Sequence, residues 1–290
     1  MTRQEFSALT AGTVLLDGAT GSELLRRGMP RGTSTELWVD RHPEVIRQLQ
    51  EEYVQAGSQI LYAPTFQAQP APLEKAGYSG SVEALNARLV GLSRQAAGRK
   101  ALVAGDLSTL AGAMASWNPD CFPQLVEQYC RQIAGLLAGG ADLLVGETLL
   151  YPQEGEAILT AAELEGGQIP VALTFTMQPD GSLFSGQAAG PVLQELEAAG
   201  AAAVGFNCVA AGMLLPGLVA TLRRYVKGPL IAKPNAGNPA ISPAGLAEYP
   251  MGPEEFAGWQ AQAAQMGATW LGGCCGTGPE YIRRLRQHRE

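Results

Sequence analysis

The sequence predicts an α/β fold, a single (β/α)₈ TIM barrel spanning residues 1–290. Three observations predict it: eight short apolar runs alternate with longer helical stretches, the runs are apolar throughout, and no shift in composition divides the chain. Alternating strands and helices imply a parallel sheet. Uniformly apolar strands belong to a sheet covered on both faces. Eight βα units without a break fit one closed barrel better than two doubly wound halves, and barrels of this kind reach this length as one domain.

In order along the chain, the first strand is expected at Thr13–Leu16, followed by a long loop at Met29–Asp40 and a helix at Pro43–Ala56. The second run, Gln59–Ala63, leads to the helix Ser81–Ala97, and the third, Ala101–Ala104, to Pro123–Ala138. The fourth and fifth, Leu143–Val145 and Val171–Phe175, precede the helices Gln153–Leu164 and Pro191–Ala199. The sixth, Ala202–Phe206, precedes Met213–Tyr225; the seventh, Leu230–Lys233, leads through a second long loop, Asn235–Gly252, to Pro253–Met266. The eighth, Thr269–Leu271, precedes the last helix, Pro279–Gln287. Pro43, Pro123, Pro191, Pro253 and Pro279 stand where a first helical turn begins and a backbone N–H is not needed. Gly57, Gly139-Gly140, Gly200 and Gly267 stand where a helix ends and a left-handed residue closes it.

Composition narrows the function. Hydrophobic residues make up 46% of the chain, enough for a large core without disulfides. A net charge of −7, spread along the chain, argues against nucleic acid. A polar start and the lack of a long apolar run imply no signal peptide and no membrane span, so a cytoplasmic protein is expected. With two histidines, His42 and His288, neither a Ser-His-Asp triad nor a His-rich metal site is well supplied. Five cysteines in a reducing compartment point to metal or catalysis rather than cross-links.

A barrel of this class carries its site at the C-terminal ends of the strands. The residues that follow the runs are Asp17-Gly18-Ala19-Thr20-Gly21, Thr65-Phe66, Asp106, Gly146-Glu147-Thr148, Thr176, Asn207-Cys208, Pro234-Asn235 and Gly272-Gly273-Cys274-Cys275-Gly276. Three cysteines, Cys208, Cys274 and Cys275, therefore reach one rim from strands separated by a single neighbour. Three thiolates and one vacant position suit a catalytic Zn²⁺, since structural sites use four protein ligands and soft sulfur disfavours Mg²⁺ or Ca²⁺. Adjacent cysteines on an ideal strand face opposite ways; Gly272, Gly273 and Gly276 allow the backbone to turn both sulfurs inward. Zn²⁺ with three thiolates carries −1, a poor activator of water but a centre able to hold a fourth thiol as an electron-rich thiolate. Alone, Cys274-Cys275 would read as a vicinal disulfide or core residues, and Cys208 as core; their joint placement favours metal. Cys121 and Cys130, in a helical stretch, read as structural. Tyr62, Phe66 and Trp117 read as ordinary packing or as walls for a cationic methyl donor.

Leu15-Leu16-Asp17-Gly18-Ala19-Thr20-Gly21, Gly146-Glu147-Thr148, Gly205-Phe206-Asn207-Cys208, Pro234-Asn235-Ala236-Gly237 and Gly272-Gly273-Cys274-Cys275-Gly276-Thr277 together resemble the homocysteine S-methyltransferase family, over nearly the whole chain and in order. The resemblance implies a zinc barrel in which the homocysteine sulfur binds metal and attacks a methyl group to give methionine. It implies Cys208, Cys274 and Cys275 as zinc ligands and catalytic residues, with Asp17 and Glu147 for the substrate ammonium. It implies the amides of Gly18 and Ala19 for the substrate carboxylate, and Asn207 beside the substrate or, with Asn235, fixing a loop.

The betaine-using members carry a tyrosine after the glutamate that matches Glu147. Thr148 stands there in this chain, which disfavours betaine. The stretch Pro234–Gly237 with Asn238-Pro239, Tyr249 and Pro253 looks more like the homocysteine-binding module of cobalamin-dependent methionine synthase. The expected partners are homocysteine and a methyl donor, either a small sulfonium such as S-methylmethionine or S-adenosylmethionine or a methyl-corrinoid on a separate protein. A transferase for another thiol such as selenocysteine, a non-catalytic thiol-binding subunit and a redox role for Cys274-Cys275 are the competing readings.

Overall fold

A computed structural model of the protein describes residues 6, 8, 10–112, 121–178, 180–242 and 247–288. Eight strands form one parallel sheet: β1 (Val14–Leu15), β2 (Ile60–Tyr62), β3 (Leu102–Ser108), β4 (Leu143–Leu149), β5 (Val171–Phe175), β6 (Ala203–Ala210), β7 (Leu230–Asn235) and β10 (Trp270–Leu271). Pairing runs β1-β10-β7-β6-β5-β4-β3-β2, so each strand lies beside its sequence neighbour in this set. A parallel bridge between Leu16 and Ile60 joins the two ends into a barrel. Gln59 supports that seam from both sides. Its N–H donates to the Leu15 carbonyl at 2.7 Å, and its Oε1 accepts the Leu15 N–H at 2.9 Å.

The strands are buried on both faces, as their uniform apolarity predicts. Inward side chains include Val14, Leu16, Ile60, Ala104, Val145 and Ile231, with Trp270 capped edge-on by Phe6 at 5.5 Å between ring centres. Outward side chains such as Leu15, Leu61, Val103, Leu144, Leu173 and Phe206 pack under the helices in a second, larger cluster.

The outer layer is α1 (Gly21–Arg26), α2 (Thr35–Arg41), α3 (Pro43–Ala56), α4 (Pro70–Lys75), α5 (Val82–Ala97), α6 (Phe122–Ala138), α7 (Pro152–Gly166), α8 (Ala189–Ala198), α9 (Leu215–Arg223), α10 (Pro253–Gln265) and α11 (Pro279–Gln287). Pro43, Pro123, Pro253 and Pro279 sit in first turns as expected, and Gly57 closes α3 with φ +115°.

Four sequence expectations need correction. The loop Met29–Asp40 contains most of α2, whose start is capped by the Ser34 hydroxyl accepting the Leu37 N–H. The loop Asn235–Gly252 holds a small antiparallel pair, β8 (Ala240–Ile241) and β9 (Ala247–Glu248). Helix α8 starts at Ala189, two residues before Pro191, because a proline is tolerated anywhere in a first turn and so marks its start only loosely. Strands β3, β4, β6 and β7 run past their expected ends, carrying Asp106, Glu147, Asn207, Cys208 and Asn235 as strand residues. Polar residues broke the apolar runs in the sequence, but the ladder continues through them. Among the described residues no helix is long and apolar enough to cross a membrane.

Candidate metal centre and substrate pocket

Cys208 comes from β6, and Cys274 and Cys275 from the turn after β10; only β7 lies between those strands. The three sulfurs lie within 4.8 Å of one another, and Cys208 Sγ is 3.1 Å from Cys274 Sγ. The turn is fastened to the end of β7: the Cys274 N–H donates to the Pro234 carbonyl at 2.8 Å, and the Cys275 N–H to Asn235 Oδ1 at 3.0 Å. Gly276 then takes φ +84°, where a Cβ would also strike the Tyr249 ring. That glycine turns adjacent cysteines toward one point.

Cys208 is aimed by strain. It and Thr148 are the non-glycine residues with positive φ among those described, at +56° and +58°. Each sits at a register shift, in β6 between Asn207 and Ala210 and in β4 between Gly146 and Leu149. Bulges of this kind re-aim side chains at the rims of barrels. Asn207 locks the two bulges together. Its Oδ1 accepts the Thr148 N–H at 2.8 Å, and its Nδ2 donates to Thr148 Oγ1 at 2.6 Å and lies 3.9 Å from Cys274 Sγ.

The sulfurs compete for protons. Hydrogen bonds from Cys208 and then Cys274 push the Cys275 thiol down to about 3, while its hydrogen bonds to Cys274 and Cys275 push Cys208 far up. The Tyr249 hydroxyl also bonds to Cys275, bringing the loop before α10 onto the cluster. Three converging soft donors that crowd one another when protonated fit a thiophilic dication such as Zn²⁺. Cys121 and Cys130 lie elsewhere: Cys121 is buried at the start of α6, and Cys130 packs from α6 against the outer core.

Beside the sulfurs opens a cavity of about 340 Å³. Its lining includes Gly18, Ala19, Tyr62, Phe66, Asp106, Glu147, Thr148 and Lys233 together with all three cysteines. The size is at the small end for ligand pockets, suited to an amino-acid-sized molecule. Gly18 lies so close to Tyr53 that a Cβ would fall 2.7 Å from its hydroxyl, and that hydroxyl donates to the Ala19 carbonyl at 2.8 Å.

Lys233 is the cation of the lining and is buried at 3% exposure. Its Nζ is 3.6 Å from Asp17 Oδ1, 3.6 Å from Glu147 Oε2 and 4.4 Å from the centre of the Tyr62 ring. Burial alone would discharge it, but Glu147 and Asp17 outweigh that and hold the ammonium charged well above the usual lysine range. Burial pushes Asp17 and Glu147 up to about 7 each, against the pull of Lys233. Asp106, buried and facing Glu147, is pushed well above the carboxylate range. Such shifts are typical of functional clefts.

The expected site residues thus divide. Cys208, Cys274, Cys275, Glu147, Gly18 and Ala19 meet at one cavity. The Ala19 N–H, expected to hold a substrate carboxylate, instead donates to the Thr277 carbonyl at 3.1 Å. Asn207 is fully buried behind the wall and fixes the rim rather than touching the cavity. Asp17 also stands behind the wall, its Oδ2 accepting the Tyr62 N–H at 2.7 Å. Tyr62 and Phe66 line the cavity; Trp117 lies outside the described residues. Sequence reasoning gave no role to Lys233 or Asp106. The signal for the first was there: a lysine within a strand buried on both faces needs a counter-charge.

The chain is similar to known proteins along nearly its whole length. The methionine synthase of Mycobacterium tuberculosis is 27% identical over 93% of the chain, which spans about a quarter (24%) of that relative's length. The betaine–homocysteine S-methyltransferase 1 of Danio rerio is 29% identical, over 96% of this chain and 74% of the relative. The metallated form of the homocysteine methyltransferase MmuM from Escherichia coli superposes with a TM-score of 0.82 at 25% identity, covering 99% of this chain and 100% of that one. The profile described as Homocysteine S-methyltransferase matches residues 14–289, and the chain belongs to that family.

Proposed function

We propose that the protein transfers a methyl group to the thiol of homocysteine, giving methionine, at a Zn²⁺ held by Cys208, Cys274 and Cys275. The observation that carries the reading is the convergence of three sulfurs in the lining of a small cavity that also presents charged groups for an amino acid. The chemistry a bound Zn²⁺ supplies is the stabilisation of a fourth sulfur as its thiolate near neutral pH.

The chain's own residues do the rest. Glu147 draws the substrate ammonium into the cavity, which fixes where the thiol end of the molecule points. Asn207, bridging both strained bulges, keeps Cys208 and Glu147 in register so that sulfur and ammonium are held at a set separation. Tyr62, Phe66 and Ala63 give the cavity apolar walls that exclude water from the attacking sulfur. A new carbon–sulfur bond forms as the methyl group's bond to its donor breaks, the electron pair leaving with the donor. The donor is of the sulfonium or methyl-corrinoid class, ahead of betaine, since Thr148 replaces the tyrosine expected of betaine enzymes.

Elemental analysis of the reduced protein tests the reading: one zinc per chain is expected, with loss in Cys208→Ser. Zinc well below one equivalent in reduced protein would overturn it. Assays with S-methylmethionine, S-adenosylmethionine, betaine and a methylated corrinoid protein, each with homocysteine, then identify the donor; methyl transfer from none would favour a thiol-delivering subunit.

A further inference from the structure

We propose that the ammonium of the amino-acid thiol is received by Asp106 together with Glu147, and that Lys233 occupies the place between Asp17 and Glu147, which makes Asp17 a positioning residue. The inference rests on the thiol-methyltransfer reading and refines how that site recognises its substrate.

Four carboxyl groups lie at or beside the cavity, and they are not equivalent: Glu36 lines it with both oxygens engaged, accepting the Gln67 N–H at 2.8 Å and the Ser34 hydroxyl at 2.9 Å. Asp17 Oδ2 accepts the Tyr62 N–H at 2.7 Å, while its Oδ1, 3.6 Å from Lys233 Nζ, is buried without a hydrogen-bond partner. It does not reach the lining. Lys233 already sits where an ammonium would have to lie to touch Asp17 and Glu147 at once, and the Tyr62 ring backs it at 4.4 Å. A second cation there would meet like charge in a buried setting, where such repulsion is strong.

Asp106 differs. It lines the cavity, is 4% exposed, and its Oδ1 is buried without a hydrogen-bond partner. Glu147 Oε2 is in the same condition, since its contact to Lys233 is longer than a hydrogen bond. Buried acceptors left unpaired are rare and costly. Two of them beside one cavity await a donor, and an ammonium supplies three N–H groups. The backbone of Asp106 is held ready for it. Its N–H donates to Thr65 Oγ1 at 3.0 Å, and its carbonyl accepts from Thr65 Oγ1 at 2.8 Å and Gln132 Nε2 at 3.1 Å.

Calorimetric binding of L-homocysteine and of 4-mercaptobutanoate, which lacks the ammonium, to the zinc-loaded protein tests this. The wild type should prefer homocysteine by roughly tenfold to a hundredfold, the value of a buried charge-assisted contact. Asp106→Asn should lose most of that preference while binding 4-mercaptobutanoate within about threefold of wild type, which also shows that the variant is folded. Asp106→Ser carries the same expectation should the asparagine variant not fold. Asp17→Asn should reduce the preference less than Asp106→Asn does. An unchanged preference in the folded Asp106 variants, or an equal or larger loss in Asp17→Asn, overturns the assignment. Equal wild-type affinity for both thiols overturns it while leaving the thiol reading standing, and wild-type protein that binds neither overturns both.

Discussion

Cys208 shows how a residue can be placed for chemistry at a cost to stability. A non-glycine residue at φ +56° carries strain of about 1–2 kcal/mol. Glycine adopts that conformation freely. Cys208→Gly should therefore raise the unfolding free energy of the metal-free protein by about 1 kcal/mol while abolishing metal binding; denaturant unfolding in chelator and metal analysis of the same preparation check both halves. Asp17 exacts a different cost. Its carboxyl keeps a proton in the folded state up to about 7, whereas the unfolded chain loses it near 3.8. Between those values the native state binds more protons, so this group's contribution makes stability fall as pH rises through that window and penalises the fold fully above it. Asp17→Asn should flatten the dependence of the melting temperature on pH between 5 and 7, measured in chelator. A slope as steep as the wild type's would show that Asp17 is not a source of it.

At the scale of elements, the rim is tied by side chains that bridge successive loops. Glu154, buried in the first turn of α7, is the clearest. One oxygen accepts from the Thr109 hydroxyl and the Leu110 N–H after β3, and the other from the Leu150 and Tyr151 N–H groups after β4. Those two strands carry Asp106 and Glu147. Glu154→Ala would leave four donors unpaired and is expected to cost about 3 kcal/mol, read from denaturant unfolding, and to weaken homocysteine binding through displacement of Glu147. A stability within about 0.5 kcal/mol of wild type, the range of ordinary surface substitutions, would mean that water satisfies those donors. The sequence reading placed α7 correctly but gave Glu154 no role. Its position in a first turn was visible; its four partners on two separate loops were not.

For the whole molecule, closure depends on a narrow seam. Strands β1 and β2 are two and three residues long, and they meet through one bridge, the main chain and side chain of Gln59, and the Ser58 hydroxyl donating to the Leu16 carbonyl. Gln59→Ala leaves the Leu15 N–H without its partner and is expected to cost about 1–3 kcal/mol in unfolding free energy. The loss should appear as a lower midpoint with an unchanged slope, since both strands belong to one cooperative core; a separate early transition would mean that the seam opens on its own. The alternation of elements was legible because the apolar runs, first-turn prolines and terminal glycines are local features, each written in a few adjacent residues. Cys208, Cys274 and Cys275 were legible as a set for the same reason, since strand order in a barrel follows sequence order and puts the ends of β6 and β10 one strand apart. The bulges at Glu147-Thr148 and at Cys208, the withdrawal of Asp17 and Asn207 behind the wall, and the pairing of Lys233 were not legible. They arise from contacts between residues 26 to 216 positions apart, whose energies exist only once the barrel has brought them together in a medium too dry to leave a charge alone. The sequence by itself determined the architecture and the grouping of the three cysteines at one rim; the tertiary structure alone decided which carboxyls line the cavity beside them.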